Sequence, residues 1–171
     1  MSRFTVLGAS PDPDSAFTQA TRHAAQVLAE NSGLDQPHIV DLAELSPLLL
    51  SADPPEAVRA ARDAVAASEV VMVASPQVHG SYTGLLKVFL DQLPELALAH
   101  AVAVPLAAVA DLGSGRGIEE DLRLLLSELG AWVPEPALLL SRPELHTPAA
   151  VVAAWAEIVA PQVREALAVR A

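Results

Sequence analysis

The stretch GASPDPDSAFT, residues 8–18, follows an apolar run and precedes a helical pattern. That is where α/β proteins hold phosphate on loop amides and a helix N-terminus. Its only charged residues are Asp12 and Asp14, and Pro11 and Pro13 remove two N–H donors from any anion nest. Two unit charges about 6 Å apart interact by roughly 3 kcal/mol at an effective dielectric of about 20, and by under about 1 kcal/mol in water. An inward carboxylate would therefore weaken anion binding by on the order of a hundredfold, and an outward one hardly at all. Outward, capping aspartates are the expected arrangement.

Two further loops gather residues of chemical interest, QVHGSYTG at 77–84 and DLGSGRG at 111–117. Six of the eight glycines (Gly8, Gly80, Gly84, Gly113, Gly115, Gly117) lie in the windows 8–18, 76–84 and 111–117, and glycine lets backbone approach a ligand closely. His79 offers a proton donor, although a solvated loop histidine is the plainer reading. GSGRG is not a dinucleotide fingerprint, because its third glycine is one residue off the spacing and it follows a late strand. Arg116 is read as a solvated surface residue, with attraction of nucleotide phosphates as the alternative. Lys87 and Asp91 stand i, i+4 on one helix and read as a structural ion pair. His23, His38, His100 and His146 lack metal-ligand spacing, so no metal site is expected. No catalytic acid or base is found.

The elements that must hold these loops alternate between short apolar runs and helical periodicity, which signals βα units. Strands are expected at Phe4–Ala9, Pro37–Leu42, Glu69–Pro76 and Ala101–Ala110, with a fifth within AWVPEPALLL at 131–140. Helices are expected at Ser15–Ala29, from Pro54 and Pro55 to about Ala67, at Leu85–Leu93 ended by Pro94, and at Ile118–Leu129 stopped by Gly130. Leu45–Leu50 reads as an irregular apolar connection, and the terminal helix after Thr147 should be kinked or divided by Pro161. Five strands with interleaved helices predict a doubly wound α/β parallel sheet of order 2-1-3-4-5, helices on both faces, in a single domain spanning 1–171. Ligands of such sheets bind outside the strands' carboxyl ends at the switch between strands 1 and 3. That rule selects the same three loops.

Composition narrows the partners. A formal net charge of −11 repels nucleic acid and anionic lipid. The absence of cysteine excludes disulfides, thiolate catalysis and iron–sulfur clusters. No apolar run approaches the roughly 20 residues of a membrane helix, and the N-terminus lacks a signal-peptide core, so a cytoplasmic protein is expected.

The run SPQVHGSYTGLLKVFLDQLP (75–94) resembles the NAD(P)H-dependent FMN reductases of the flavodoxin-like superfamily. Their pattern is met by Ser75, Pro76, Ser81, Gly84, Leu86, Lys87 and Asp91. The first strand and the segment from Ala110 to Val133 are similar too. GSYTGLLK and LPELAL are most similar to the flavin reductases that supply sulfonate monooxygenases. The resemblance implies a homodimer or homotetramer that transfers hydride from NADPH or NADH to FMN, serving a partner monooxygenase. It also implies Ser10, Ser15 and Thr18 around the flavin phosphate, where an N-capping role for Ser15 or Asp14 competes. Backbone of Pro76, Gln77, Val78, His79, Gly80 and Ser81 would meet the ring, with Gly113, Ser114 and Gly115 flanking it. The family's basic residue is missing from the first loop and Val78 replaces its tyrosine. Those departures imply loosely bound FMN. Tyr82 would pack at a subunit contact, and Trp132 and Trp155 in the core or an interface. Two alternatives stay open, a tight-FMN reductase of quinones, azo dyes or metal ions, and a non-enzymatic subunit.

Overall fold

The computed structural model describes residues 3–170. Along the chain run β1 (Phe4–Gly8), α1 (Ala16–Ser32), β2 (His38–Asp41), α2 (Leu42–Leu45), α3 (Glu56–Ala66), β3 (Val70–Pro76) and α4 (Gly84–Leu90). They are followed by β4 (Val102–Val109), α5 (Arg116–Glu128), β5 (Leu138–Ser141), α6 (Arg142–His146) and α7 (Ala149–Arg170). All strand pairs are parallel and the order is β2-β1-β3-β4-β5, as the alternation of elements predicts.

The sheet is covered on both faces, and the side-chain period of two sorts each strand between them. Phe4, Val6, Val70, Met72 and Val104 pack with Phe17, Leu28, Trp155 and Val159 of α1 and α7. Leu7, Val71, Val73 and Ala103 pack with Val58, Phe89, Ile118 and Leu122 of α3, α4 and α5. Both faces being buried explains why β3 is an unbroken apolar run. Trp155 is a core residue whose indole N–H donates to the Pro136 carbonyl at 3.0 Å, whereas Trp132 lies at the surface.

Strand β4 runs straight through Pro105. The Ala103 amide bonds the Trp132 carbonyl and the Ala108 carbonyl accepts from Gln77 on the opposite side, so by alternation Pro105 faces the β5 side. Pairing with β5 begins only at Leu106↔Leu138. The missing donor therefore falls in the gap before β5 starts.

Three expectations need correction, and one short helix was not expected. The segment after β2 is not irregular: α2 and a 3-10 turn at Ser46–Leu48 occupy it, because the Asp41 carboxylate accepts from the Ala43 amide at 2.9 Å and Pro47 suits a first turn. Helix α4 ends at Leu90, a turn before Pro94. Helix α6 was not anticipated, although Ser141 and Glu144 carry its capping box. Pro161 does not divide α7, since both it and Glu157, whose carbonyl loses its donor, are exposed to water. Gly130 does end α5, at φ 89°, with the Gly130 and Ala131 amides closing on the Ser127 and Leu126 carbonyls.

Candidate functional site

The loops after β1, β3 and β4 lie at the carboxyl ends of adjacent strands. In the first, Ser15 caps α1 by accepting from the Thr18 amide at 3.1 Å. Its Oγ also lies 3.3 Å from Ser10 Oγ and 3.0 Å from Thr18 Oγ1. The outer two hydroxyls both donate to the Asp12 carbonyl, at 3.0 Å and 3.1 Å. Ser10, Ser15 and Thr18 thus form one connected cluster. An anion above α1 would compete with the Asp12 carbonyl for their protons. The α1 amides of Ala16 and Phe17 have no acceptor among the described residues. Two open amides and three adjacent hydroxyls are a donor set that fits a phosphate.

Asp12 and Asp14 are both exposed, and Asp12 Oδ1 accepts from the Asp14 amide at 3.1 Å. The Asp12 carboxylate is engaged in an Asx turn, and Ser15 rather than either aspartate is the N-cap.

The second loop closes by reciprocal backbone bonds between Val78 and Ser81, at 2.8 Å and 3.1 Å. The turn is therefore Val78–Ser81. Its central residues His79 (φ 51°) and Gly80 (φ 89°) are both left-handed, the sign pattern of a type I′ turn, which Gly accepts without strain. The amides of His79 and Gly80 have no acceptor among the described residues. His79 and Val78 are exposed, and Pro76 ends β3. Ser81 donates to Asp121 on α5.

The buried Thr83 hydroxyl, which the sequence reading did not place in the site, joins the first two loops, and the buried Ser75 hydroxyl braces it. Thr83 Oγ1 donates to the Ala9 carbonyl at 3.0 Å and accepts from the Leu86 amide at 3.2 Å, capping α4. Its own amide donates to Ser75 Oγ at 2.9 Å. The signal available was a threonine immediately before the helical pattern GLLKVFL.

The third loop is a 3-10 turn, Leu112–Gly115, whose Ser114 amide donates to Asp111 Oδ1 at 3.0 Å. Gln77 Nε2 donates to the Ser114 carbonyl at 2.9 Å and ties this loop to the second. Gly113 and Ser114 are exposed. Gly115 faces the interior, where a Cβ would stand 2.8 Å from Leu139 Cδ1. A Cβ at Gly117 would stand 3.3 Å from the Gly80 carbonyl oxygen, so the turn tip packs on the start of α5. Arg116 is exposed.

Lys87 pairs with Asp91 at 2.5 Å as expected, and that hydrogen bond foremost raises the lysine's pKa above its usual value. No cluster of potential metal ligands occurs among the described residues, and no described helix is long and apolar enough to cross a membrane.

An FMN reductase (NADPH) of Pseudomonas putida is 36% identical over 67 residues, 39% of this chain. The match spans about a third of that relative's length, 34%. The crystal structure of an apo NADH:FMN oxidoreductase superposes with a TM-score of 0.86 at 27% identity, over 98% of this chain and 90% of that one. An oxidoreductase from Corynebacterium diphtheriae shares the fold, with a TM-score of 0.81 at 23% identity, covering 96% of this chain and 98% of its own. Residues 2–143 match the NADPH-dependent FMN reductase family, and the chain belongs to it.

Proposed function

We propose that this protein is an NAD(P)H:FMN oxidoreductase that moves hydride from NADPH or NADH to FMN. The observation that carries the reading is the donor set above α1: the Ser10, Ser15 and Thr18 hydroxyls beside the open Ala16 and Phe17 amides. These would hold the flavin phosphate. The His79 and Gly80 amides and the backbone of Gln77–Ser81, exposed at Val78, His79 and Gly80, would contact the ring, with Gly113 and Ser114 at its flank and Gly115 shaping that loop from below. Bound FMN supplies the hydride acceptor, so the protein's part is to bind, orient and exclude water, and no side-chain acid or base is assigned.

Two prolines that remove N–H donors from the first loop, and Val78 in place of an aromatic, favour loosely held flavin, used as a substrate and released reduced, over a tightly bound prosthetic group. Released reduced flavin fits service to a flavin-dependent monooxygenase. A homodimer or homotetramer, one domain and a cytoplasmic location complete the proposal. The missing basic residue of the first loop and Val78 in place of tyrosine also favour one rival, a non-enzymatic subunit.

Titration of the apo-protein with FMN and with riboflavin, followed by NADPH oxidation on the same samples, tests the reading. FMN binding tighter than riboflavin, with turnover, supports it. Colourless protein that stays inactive with added FMN supports the rival.

A further inference from the structure

On the β2 side of the first loop lies a cavity of about 20 Å³, lined among others by Ser10, Phe17, Thr18, Thr21, Arg22 and Asp41. A space of that size holds about one water molecule. Thr21 is 4% exposed, and its Oγ1 is buried with no hydrogen-bond partner. An apolar void would leave that hydroxyl unsatisfied, so the cavity calls for a polar guest.

Arg22 follows directly. It stands one turn beyond Thr18 on α1, and helical side chains lean toward the helix N-terminus. That lean directs the guanidinium toward the hydroxyl cluster. Arg22 enters no ion pair among the described residues, whose pairs involve only Arg59, Lys87 and Arg123. The carboxylate in the same cavity, Asp41, is occupied in capping α2. Residues 8–18 hold no cation, and Arg116 begins α5, next to Gly117, which packs on the Gly80 carbonyl.

We infer that Arg22 binds the flavin phosphate, reaching it from the helix flank rather than from the loop. One water held by Thr21 Oγ1 bridges to the same phosphate. The inference rests on the FMN reading above and explains how a loop with two aspartates still takes a dianion.

The test compares wild type with Arg22→Gln, Arg22→Lys and Thr21→Val by flavin fluorescence titration with FMN and riboflavin, and with inorganic phosphate as competitor. Arg22→Gln should weaken FMN on the order of tenfold to a hundredfold and leave riboflavin unchanged, and Arg22→Lys should recover part of the loss. Thr21→Val should weaken FMN severalfold, and phosphate should compete with FMN in wild type far better than in Arg22→Gln. Wild type that prefers FMN while Arg22→Gln keeps the full preference overturns the role of Arg22 alone. Wild type that binds both flavins equally overturns the FMN reading and the inference together. Unchanged FMN affinity in Thr21→Val removes the bridging water.

Discussion

The side chains of Asp12 and Asp14 decide how much the first loop opposes an anion. Both face water, and Asp12 is turned onto the Asp14 amide. An exposed charge about 6 Å from a phosphate costs under about 1 kcal/mol, so Asp12→Asn and Asp14→Asn should each tighten FMN by no more than about threefold in a fluorescence titration. A gain near a hundredfold would place a carboxylate inward. Thr83 has the opposite profile, buried and spending its hydroxyl on both Ala9 and the α4 cap. Thr83→Val keeps the shape but strands the Ala9 carbonyl and the Leu86 amide, which should cost about 2 kcal/mol in urea unfolding. Thr83→Ser should recover most of it. Neither Thr83 nor Arg22 stands out in the sequence as a site residue, because each acts from a helix end or flank onto a loop distant in sequence or beyond the motif.

Elements long enough to show a period were legible, and those that depend on a single local bond were not. β3 reads as a buried strand because six of its seven residues are buried, and α1 reads as a helix because Phe17, Ala20, Ala24 and Leu28 share a face. α2 has four residues and α6 five, too few for any periodicity, and each depends on one acid at its N-terminus, Asp41 as the cap of α2 and Glu144 bonding back to the Ser141 cap of α6. Pro105 is compatible with β4 because β5 starts late, a fact of pairing that no local pattern shows. In α6 the Glu144 carboxylate accepts from the Ser141 hydroxyl and amide, and those bonds, the hydroxyl's foremost, hold its pKa below 4.5. Its folded pKa is lower than its unfolded one, so the stabilisation is full above 4.5 and fades as pH falls through the lower folded value. The difference in Tm between wild type and Glu144→Ala should therefore be constant from about pH 8 down to about pH 5 and narrow below about pH 4.

At the scale of the whole molecule, an acidic protein that exposes an apolar side chain in a groove between two helices has two opposed tendencies. Leu124 on α5 is 63% exposed, and it lines a groove between α4 and α5 with Tyr82, Lys87, Leu90, Asp91 and Glu128. Covering Leu124 and Tyr82 would release apolar surface from water, which favours association of two copies through this face. The same contact would bring Asp91, Asp121 and Glu128 of each copy together within a chain of net charge −11, which opposes it. Salt separates the two terms, because the Debye length shrinks from about 30 Å at 0.01 M to about 3 Å at 1 M while apolar burial is kept. Self-association by sedimentation velocity should therefore strengthen with added salt. Leu124→Glu removes apolar cover and adds a carboxylate, so it should shift the protein toward monomer at every ionic strength. A Leu124→Glu variant that associates as wild type does would place the subunit contact on another face and detach Tyr82 from it.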